Sequence, residues 1–248
     1  MAPDAPRIAA AAVRLVERDF PRVPRETADV PRMPLAVRDV LGPELLATAR
    51  EALTAAGVTD DDTHTLGCVT ASHRATSATS AYIAEVLDSH GPRWLAPECF
   101  LHYSAHSLTG RLCIELGLDG AAVTLTGPSS GIDALGYAAS VIASGRLHRV
   151  LVAAAYWPPP GTRRDTGTVP LRTAAVVLTG AGGWGDVTGW RPGGGHPAVG
   201  GADDADHERS DPSEAFAALA DWYRRRPGVP TELLGGGSRL VLRPGGAV

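Results

Sequence analysis

Apolar residues recur along the chain with two periods, one typical of strands and one typical of helices. Arg7–Glu17 alternates loosely and predicts a first strand, whereas Pro43–Ala56 has apolar residues at helical spacing before Gly57, a typical helix end. Apolar runs predict further strands at Thr65–Ala71, Ala121–Thr126, Arg149–Tyr156 and Ala174–Thr179, and further helices at Thr76–Leu87, Phe100–Leu116 and Ile132–Ser144. We expect the strand at Ala121–Thr126 to be buried. Strands that alternate with helices indicate an α/β fold with a parallel sheet covered on both faces.

The pattern changes after Gly180. Gly-rich stretches there surround one predicted helix, Ser213–Arg226, and one predicted strand, Arg239–Leu242. We therefore place a soft domain boundary near residue 180, with residues 1–180 as the main domain and 181–248 as a Gly-rich remnant. Before this boundary Trp157 is followed by three prolines, which indicates a rigid surface loop.

Composition and charge exclude several classes of protein. Of the 248 residues, 44% are hydrophobic and 20% are charged, so the chain can bury a sizeable core and is neither disordered nor fibrous. The net charge of −4 comes without a large basic block, which argues against a nucleic-acid partner. No apolar run approaches the ~18 residues of a membrane span, and Met1–Ala12 makes a poor secretory signal. The 3 cysteines share no CxxC spacing, which suits a reducing compartment, and we predict a cytoplasmic protein.

Missing residue types exclude particular chemistries. All 23 basic residues are arginine, and the chain has no lysine, asparagine or glutamine. A P-loop, a pyridoxal phosphate Schiff base, a Ser-Lys nucleophile and a Cys-His-Asn triad are therefore all excluded. His102 and His106 have the spacing of a metal pair on one helix face but lack a third ligand. We predict neither a cofactor nor a metal.

A short motif allows one catalytic hypothesis. Gly127–Gly131 reads GPSSG between a predicted strand and a predicted helix, which fits the G-x-S-x-G nucleophile elbow with Ser129 as nucleophile. A serine hydrolase or acyltransferase would then need an acid and a histidine further along the chain. The candidates are Asp165 or Asp186, followed by His196 or His207. None of these histidines ends a predicted strand, and no HGGG-type oxyanion loop precedes the turn.

Three stretches follow one another in an order that matches a known family. Leu108–Gly120 reads LTGRLCIELGLDG, a helix that leads into a Gly-rich turn, and Ser130–Ala138 reads SGIDALGYA at the start of the next helix. Ile142–Gly145 and Val150–Ala155 then give a turn and a strand. In this order residues 98–157 resemble the N-terminal half of the β-ketoacyl synthases. The resemblance implies a truncated thiolase-like fold, with a mixed, mainly parallel sheet covered by helices and residues 181–248 as the remnant of the C-terminal half.

The resemblance also implies that the catalytic groups are missing. Condensing synthases read ACSSG at this turn, where the helix N-terminus favours the thiolate, whereas this chain has Pro128 in the register of the cysteine. Counting forward from Gly120 instead places Ser129 there, so both assignments stay open. The HGTGT motif, the Asn-rich Gly loop and the catalytic lysine of the family are also missing. The chain ends about where the first catalytic histidine would follow, so we expect no catalysis by this chain alone.

Within the family, the string Gly131–Gly136 (GIDALG) is similar to the chain-length factors of type II polyketide synthases. These subunits have lost the cysteine, usually to glutamine, and pair with an active ketosynthase. The short chain resembles the small factors of aryl-polyene and other highly reducing systems. The resemblance therefore implies a heterodimer with a ketosynthase. The predicted partner interface comprises Ala122, Val123, Thr124, Leu125, Thr126, Gly127, Pro128 and Ser129.

In such pairs the growing acyl chain runs into a tunnel at the interface, and the factor closes its far end. The resemblance places this wall on the predicted helix Thr76–Leu87 and near Leu101. The predicted lining residues are Ser77, Ser80, Ile83, Ala84 and Leu101. An acyl carrier protein would deliver the chain, and Arg224–Arg226 either offsets a helix dipole or meets that acidic protein. The Ser129 hydrolase and a scaffold that shapes no pocket are the alternative functions.

Overall fold

The residues that the structure describes form one mixed sheet with helices packed on it. This computed structural model describes residues 5–19, 23, 34–158, 168–193 and 211–245. The eight strands in these ranges are β1 (Arg7–Asp19), β2 (Gly67–Ser72), β3 (Ala122–Thr126), β4 (Arg149–Tyr156), β5 (Thr168–Thr179), β6 (Trp184–Arg191), β7 (Thr231–Gly235) and β8 (Ser238–Arg243). The five α-helices in the same ranges are α1 (Leu41–Ala55), α2 (Ser77–Ser89), α3 (His106–Leu116), α4 (Ser130–Ala143) and α5 (Ser213–Arg225). Short 3₁₀ helices lie at Asp60–Thr65, Pro92–Trp94 and Pro97–His102.

Within the described ranges the strand order is β3-β2-β4-β5-β1-β6-β8-β7. β2 pairs in parallel with β3 and with β4, whereas all the other neighbours in this order are antiparallel. The mixed sheet is confirmed, but the expectation of mainly parallel pairing is wrong. Only β2, β3 and β4 follow one another through the helical crossovers that parallel neighbours require.

Each face of the sheet buries its own set of helices. On one face α1 places Leu45 and Ala49 in a cluster with the buried side chains of β4 and β5. On the other face α4 and α5 contribute Leu135 and Phe216 to a second cluster. Residues 150–155 of β4 are fully buried between the two faces. The predicted covering of both faces by helices is therefore confirmed.

Two predicted elements differ in the structure. The helix predicted at Phe100–Leu116 is divided into the 3₁₀ helix Pro97–His102 and α3. α3 begins only at His106, where the Ser104 hydroxyl accepts a hydrogen bond from the backbone N–H of His106 at 3.2 Å. The strand β3 is not buried, since Ala122 and Thr126 are exposed and the residues between them are half-buried. It is an edge strand with β2 as its single neighbour in the described sheet, and the expectation of burial is wrong.

The chain after Gly180 adds more strands than the sequence predicts. Among the described residues it contains α5 and β8, which were expected, and also β6 and β7. β6 joins the sheet beside β1 through two residue pairs, Arg7 with Asp186 and Ile8 with Trp184. Two of its glycines, Gly185 and Gly189, have a positive φ. Because glycine is uncommon inside strands, the sequence pattern does not predict a strand here. The division into two domains near residue 180 stays a prediction.

Close packing of α4 generates a testable prediction about stability. A Cβ atom at Gly131 would lie 2.2 Å from the Pro212 carbonyl oxygen, so Gly131→Ala forces one backbone away from the other. We expect this substitution to lower the free energy of unfolding by about 1–3 kcal/mol, the usual range for overpacking. Urea denaturation of the full chain measures the effect.

Gly110→Ala is the matched control. Gly110 lies in α3, and a Cβ atom there would meet no other heavy atom within 4 Å. We expect the control to be neutral or to stabilise the chain by up to about 1 kcal/mol, because alanine favours a helix more than glycine does. If the two variants had the same free energy of unfolding, the close approach of Gly131 to the Pro212 carbonyl would not limit the stability of the fold.

Candidate functional site

The GPSSG turn joins β3 to α4, in the strand–turn–helix context that the sequence predicts. Gly127 has φ of +104°, a conformation that favours glycine, and its N–H donates to the Ser72 carbonyl at 3.3 Å. Pro128 follows, and Ser129 is the N-cap residue of α4. The N–H of Ser130 donates to the Gly127 carbonyl at 3.1 Å. The turn therefore lies at the carboxyl ends of β2 and β3, above the N-terminus of α4.

A second turn of the chain lies directly on this one. Gly236, in the hairpin between β7 and β8, is so close that a Cβ atom there would lie 2.5 Å from the Ser129 nitrogen and 2.7 Å from the Pro128 carbonyl carbon. On the neighbouring side, the Pro212 carbonyl abuts Gly131. The chain's own backbone therefore occupies space beside the Pro128–Ser129 peptide.

Ser129 lacks the partners of an activated nucleophile. Among the described residues, no histidine or carboxylate makes a hydrogen bond with its hydroxyl. Asp186, one of the proposed acids, lies on β6 and pairs with the Nε of Arg7 at 3.3 Å. The other candidates, Asp165, His196 and His207, lie outside the described residues. The side chain of Pro128 has no group that could be acylated.

The polar groups at the starts of α5 and α4 differ in their partners. The Asp211 carboxylate accepts hydrogen bonds from the backbone N–H of Ser213 at 2.7 Å and from Nη1 of Arg172 at 2.8 Å, which fixes the start of α5. Burial raises the pKa of Asp211 above its usual value, although Ser213 and Arg172 act in the opposite direction. The Ser130 hydroxyl is buried and has no hydrogen-bond partner among the described residues.

The thiols of the chain lie elsewhere. Cys68 is buried near the start of β2, Cys113 is half-buried on α3, and Cys99 is buried in the 3₁₀ helix Pro97–His102. A hydrogen bond from Cys68 lowers the pKa of Cys113 to about 7, and the same interaction together with burial raises the pKa of Cys68. None of these residues is part of the GPSSG turn, so no thiol replaces a nucleophile there.

The predicted tunnel residues occupy different environments around α2. Leu101 is exposed and lines a cavity of about 390 Å³, which α2 faces with Ala78 and Thr79. Ser77 and Ser80 are half-buried and Ala84 is exposed, and all three lie on a neighbouring face of α2. The Ser80 hydroxyl donates to the Thr76 carbonyl at 3.2 Å. Ile83 is buried in a small cluster with Tyr82 and Val86. The assignment of these residues to a tunnel wall stays a prediction.

Five of the predicted interface residues, Ala122–Thr126, form β3 at one edge of the described sheet, and the other three lie in the GPSSG turn. Val123 and Leu125 pack toward the face of the sheet that carries α4, whereas the Thr124 hydroxyl makes hydrogen bonds with α3. Its partners there are Nδ1 of His106, at 2.9 Å, and the hydroxyl of Thr109. The two faces of β3 are thus held by the chain itself, while one edge of its backbone has no neighbouring strand in the described sheet.

Other residues singled out in the sequence have local partners. His102 lies 3.7 Å from the Asp39 carboxylate, whereas His106 binds Thr124, so the two histidines do not converge. Arg224 and Arg225 both pair with Asp221. Arg226 stacks on the rings of Trp184 and Tyr223, at 4.5 and 4.2 Å from their centroids. Trp157 is 1% exposed, so the expectation that it lies on the surface is wrong, and Pro159 and Pro160 of the predicted loop lie outside the described residues.

Comparison with known proteins finds a family match over part of the chain and a shared fold. Residues 39–158 match the family described as the β-ketoacyl synthase N-terminal domain. A chain of the ishigamide ketosynthase/chain length factor has a TM-score of 0.60 at 15% identity, with 84% of this chain and 81% of that chain covered. The ketosynthase ApeO in complex with its chain length factor ApeC from Xenorhabdus doucetiae gives 0.54 at 15% identity, with 96% and 99% covered. A β-ketoacyl synthase from Burkholderia phymatum STM815 gives 0.61 at 14% identity, with 97% and 99% covered.

The fold is therefore the thiolase-like ketosynthase fold, as the sequence predicts. The stretch that matches the β-ketoacyl synthase N-terminal domain, residues 39–158, includes the GPSSG turn. No curated protein matches it in sequence. Within the described ranges, every helix is too short or too polar to span a bilayer.

The surroundings of Ser129 predict the outcome of active-site labelling. A fluorophosphonate probe reacts with serines that a neighbouring base activates, and the described residues provide no such base. We expect no labelling of the full chain at Ser129, and no difference between the wild type and Ser129→Ala. Intact-mass measurement checks this, with a known serine hydrolase as the positive control. Stoichiometric labelling that Ser129→Ala removes would instead establish the hydrolase or acyltransferase.

Proposed function

We propose that this chain is a non-catalytic chain-length factor that pairs with a ketosynthase and shapes the acyl-chain tunnel in type II polyketide biosynthesis. Products of the reduced, polyene type are the proposed class. The ketosynthase supplies the cysteine and the proton-transfer groups, and an acyl carrier protein delivers the chain through its phosphopantetheine arm. The site of action we propose is the cytoplasm.

The turn at Pro128 carries this proposal. In the register that resembles condensing synthases, Pro128 takes the place of the acylated cysteine, and a proline cannot form a thioester. Gly236 and Pro212 bring backbone atoms close to the start of α4, which leaves less room for a substrate there. A condensing enzyme of this fold would need a nucleophile at this turn that can be acylated, together with a base that activates it.

The free edge of β3 supports a protein partner. An edge strand presents unpaired N–H and C=O groups, which natural proteins cover or blunt with charged residues, proline or bulges. The sequence of β3, AVTLT, has none of the charged or proline residues that would blunt it. A strand from a partner could extend the sheet at this edge by main-chain hydrogen bonds.

Exposed apolar side chains on and near α3 also support contact with a partner protein. Phe100 is 59% exposed, Leu101 68% and Ile114 84%, and the large ring of Tyr103 is also half-exposed. α3, which carries Ile114, packs on β3 through the hydrogen bond of His106 with Thr124, and the 3₁₀ helix Pro97–His102 packs on α3 in turn. Apolar groups of this size favour burial against a partner.

The structural neighbours include complexes of the proposed kind. Two of them are a ketosynthase/chain length factor and a ketosynthase in complex with its chain length factor. At about 15% identity they share the fold with this chain, and the role of partner subunit is carried over here as a proposal. The face of α2 with Ser77, Ser80 and Ala84, together with Leu101 and Ile83, is the proposed wall that limits chain length.

The sheet edge gives a test of the partnership. We expect Thr126→Lys to weaken copurification with the proposed ketosynthase partner by at least tenfold, because a lysine at an edge strand opposes pairing with another strand. Size-exclusion chromatography of the co-expressed proteins measures the complex. Thr231→Lys, on the edge strand β7 at the other end of the sheet, is the matched control and should leave the complex intact. An intact complex with Thr126→Lys would refute the proposed interface.

The proposed wall gives a test of chain-length control. Small side chains at Ser80 and Ala84 leave room for an extended chain, so Ser80→Phe and Ala84→Phe should each shorten the main product of the reconstituted complex. Mass spectrometry of the released chains measures the length. Glu85→Phe, exposed on another side of α2, is the control and should not change it. If Ser80→Phe and Ala84→Phe both leave the product length unchanged, α2 does not form the wall of the tunnel.

A further inference from the structure

Two of the three cysteines are in contact although they lie far apart in the sequence. Cys68 is near the start of β2, Cys113 is in the last turn of α3, and the Cys68 thiol donates a hydrogen bond to the sulfur of Cys113. Both side chains pack in the first hydrophobic cluster, on the face of the sheet that carries α1. Cys99 lies in a different cluster, with Tyr82 and Val86. The fold therefore brings one pair of thiols together.

The packing of α3 on β2 sets the position of this pair. The hydroxyl oxygens of Thr70 and Thr109 are 2.5 Å apart, and both residues are fully buried. Thr70 follows Cys68 by two residues on the same face of β2, and Thr109 precedes Cys113 by one helical turn on the same face of α3. Two strand residues span about 6.6 Å and one helical turn about 6 Å. The alignment that joins the threonines therefore also places the two cysteines opposite each other.

Backbone contacts hold the end of α3 beside the start of β2. After α3 the N–H of Leu118 donates to the Cys113 carbonyl at 2.9 Å. The chain then returns to β2, where the N–H of Cys68 donates to the Ala121 carbonyl at 2.9 Å and Cys68 is aligned with Ala122 of β3. The approach of the two thiols is thus fixed by the main chain and by the threonine pair, independently of the sulfur atoms.

The two thiols differ in exposure and in charge. Cys68 is fully buried, whereas Cys113 is half-buried at the margin of the cluster, so Cys113 is the thiol that solvent reaches. The hydrogen bond from Cys68 lowers the pKa of Cys113 to about 7, and the same bond and burial raise the pKa of Cys68. The thiolate is the reactive form of a cysteine, and its oxidation follows thiolate character and exposure. Cys113 is therefore the thiol that reacts first.

We propose that Cys113 and Cys68 form a redox modification site, at which a peroxide oxidises Cys113 and Cys68 then closes a disulfide bond between α3 and β2. This site goes beyond the proposed function, because the chain forms it without a partner. The disulfide would fix α3 to the strand that neighbours the edge strand β3. A thiol reductant restores the two thiols, so the modification is reversible, as is usual for disulfides of the cytosol.

The reaction has two steps. In the first, the Cys113 thiolate attacks one oxygen of hydrogen peroxide, the O–O bond breaks, and Cys113 becomes a sulfenic acid. The hydroxide that leaves takes up a proton from solvent and becomes water. In the second, the Cys68 sulfur attacks the Cys113 sulfur, the S–O bond breaks, and the hydroxyl leaves as water with the proton of Cys68. Two thiols are thus oxidised by two electrons, and one peroxide is reduced to two molecules of water.

The direct test is treatment of the reduced, full-length chain with hydrogen peroxide, followed by intact-mass measurement and peptide mapping. We expect the loss of two hydrogen atoms per chain, a disulfide between Cys68 and Cys113, and recovery of the starting mass with dithiothreitol. Cys99→Ser is the matched control and should form the same disulfide, since serine keeps an acceptor for the N–H of Val37. A disulfide that includes Cys99, or sulfinic acid at Cys113 beside a reduced Cys68, overturns the proposal.

Removal of each thiol in turn separates their roles. Without Cys68 the sulfenic acid at Cys113 persists, so we expect Cys68→Ala to give at least about tenfold more dimedone labelling at Cys113 than the wild type. The comparison is made at a pH of about 8.5, near the ordinary pKa of a thiol, so that Cys113 forms thiolate in both chains. Labelling equal to that of the wild type overturns the role of Cys68.

Cys113→Ser is the second variant, at a half-buried position where serine is tolerated more easily than in the core. We expect it to keep its full mass with peroxide and to show no dimedone labelling at Cys68, because that thiol is buried. Labelling of Cys68 in this variant as strong as that of Cys113 in Cys68→Ala overturns the order of the two steps. Thermal unfolding verifies that each variant is folded, and copurification with the ketosynthase is measured separately, so either proposal can fail without the other.

Discussion

The close packing of α4 is the constraint on which the rest of this structure depends. A Cβ atom at Gly131 would meet the Pro212 carbonyl, and one at Gly136 would lie 2.0 Å from the Trp190 ring. Ala134, Leu135 and other small or aliphatic side chains of the helix are fully buried. Because Gly131 and Gly136 have no side chain, α4 can pack against strands that precede residue 180 and against strands that follow it. This contact joins the later strands and α5 to the main part of the fold.

The same packing decides what the N-terminus of α4 can do. In a condensing synthase this helix end stabilises a thiolate, and the strand before it leads to the nucleophile. Here the hairpin at Gly236 lies on the peptide between Pro128 and Ser129. The surface that remains available is the edge of β3 and the apolar side chains near α3, which suit contact with another protein.

A second group of contacts organises the opposite face. Asp39 connects the start of α1, the side chain of Arg111 on α3 and His102 in the preceding 3₁₀ helix. Buried hydroxyl pairs, such as Thr48 with Thr173 at 2.6 Å, hold α1 to β5. These polar contacts at the edges of an apolar cluster leave a cavity between the helices, because the small side chains of Ala75, Ala78 and Gly110 do not fill it.

The sequence by itself determined the fold class, most of the helices and strands, and the absence of a cysteine from the GPSSG turn. Each of these follows from local patterns: the apolar periodicity of β4 and α4, and the order of residues around the GPSSG turn. The tertiary structure alone decided that β3 is an edge strand, that β6 and β7 exist, and that Trp157 and Arg111 share a cavity. β6 contains two glycines with a positive φ and forms its pairs with β1 and β8, which lie far away in the sequence. Pairing and burial between distant segments leave no periodic signal in either segment, so only the folded chain shows which side chains meet.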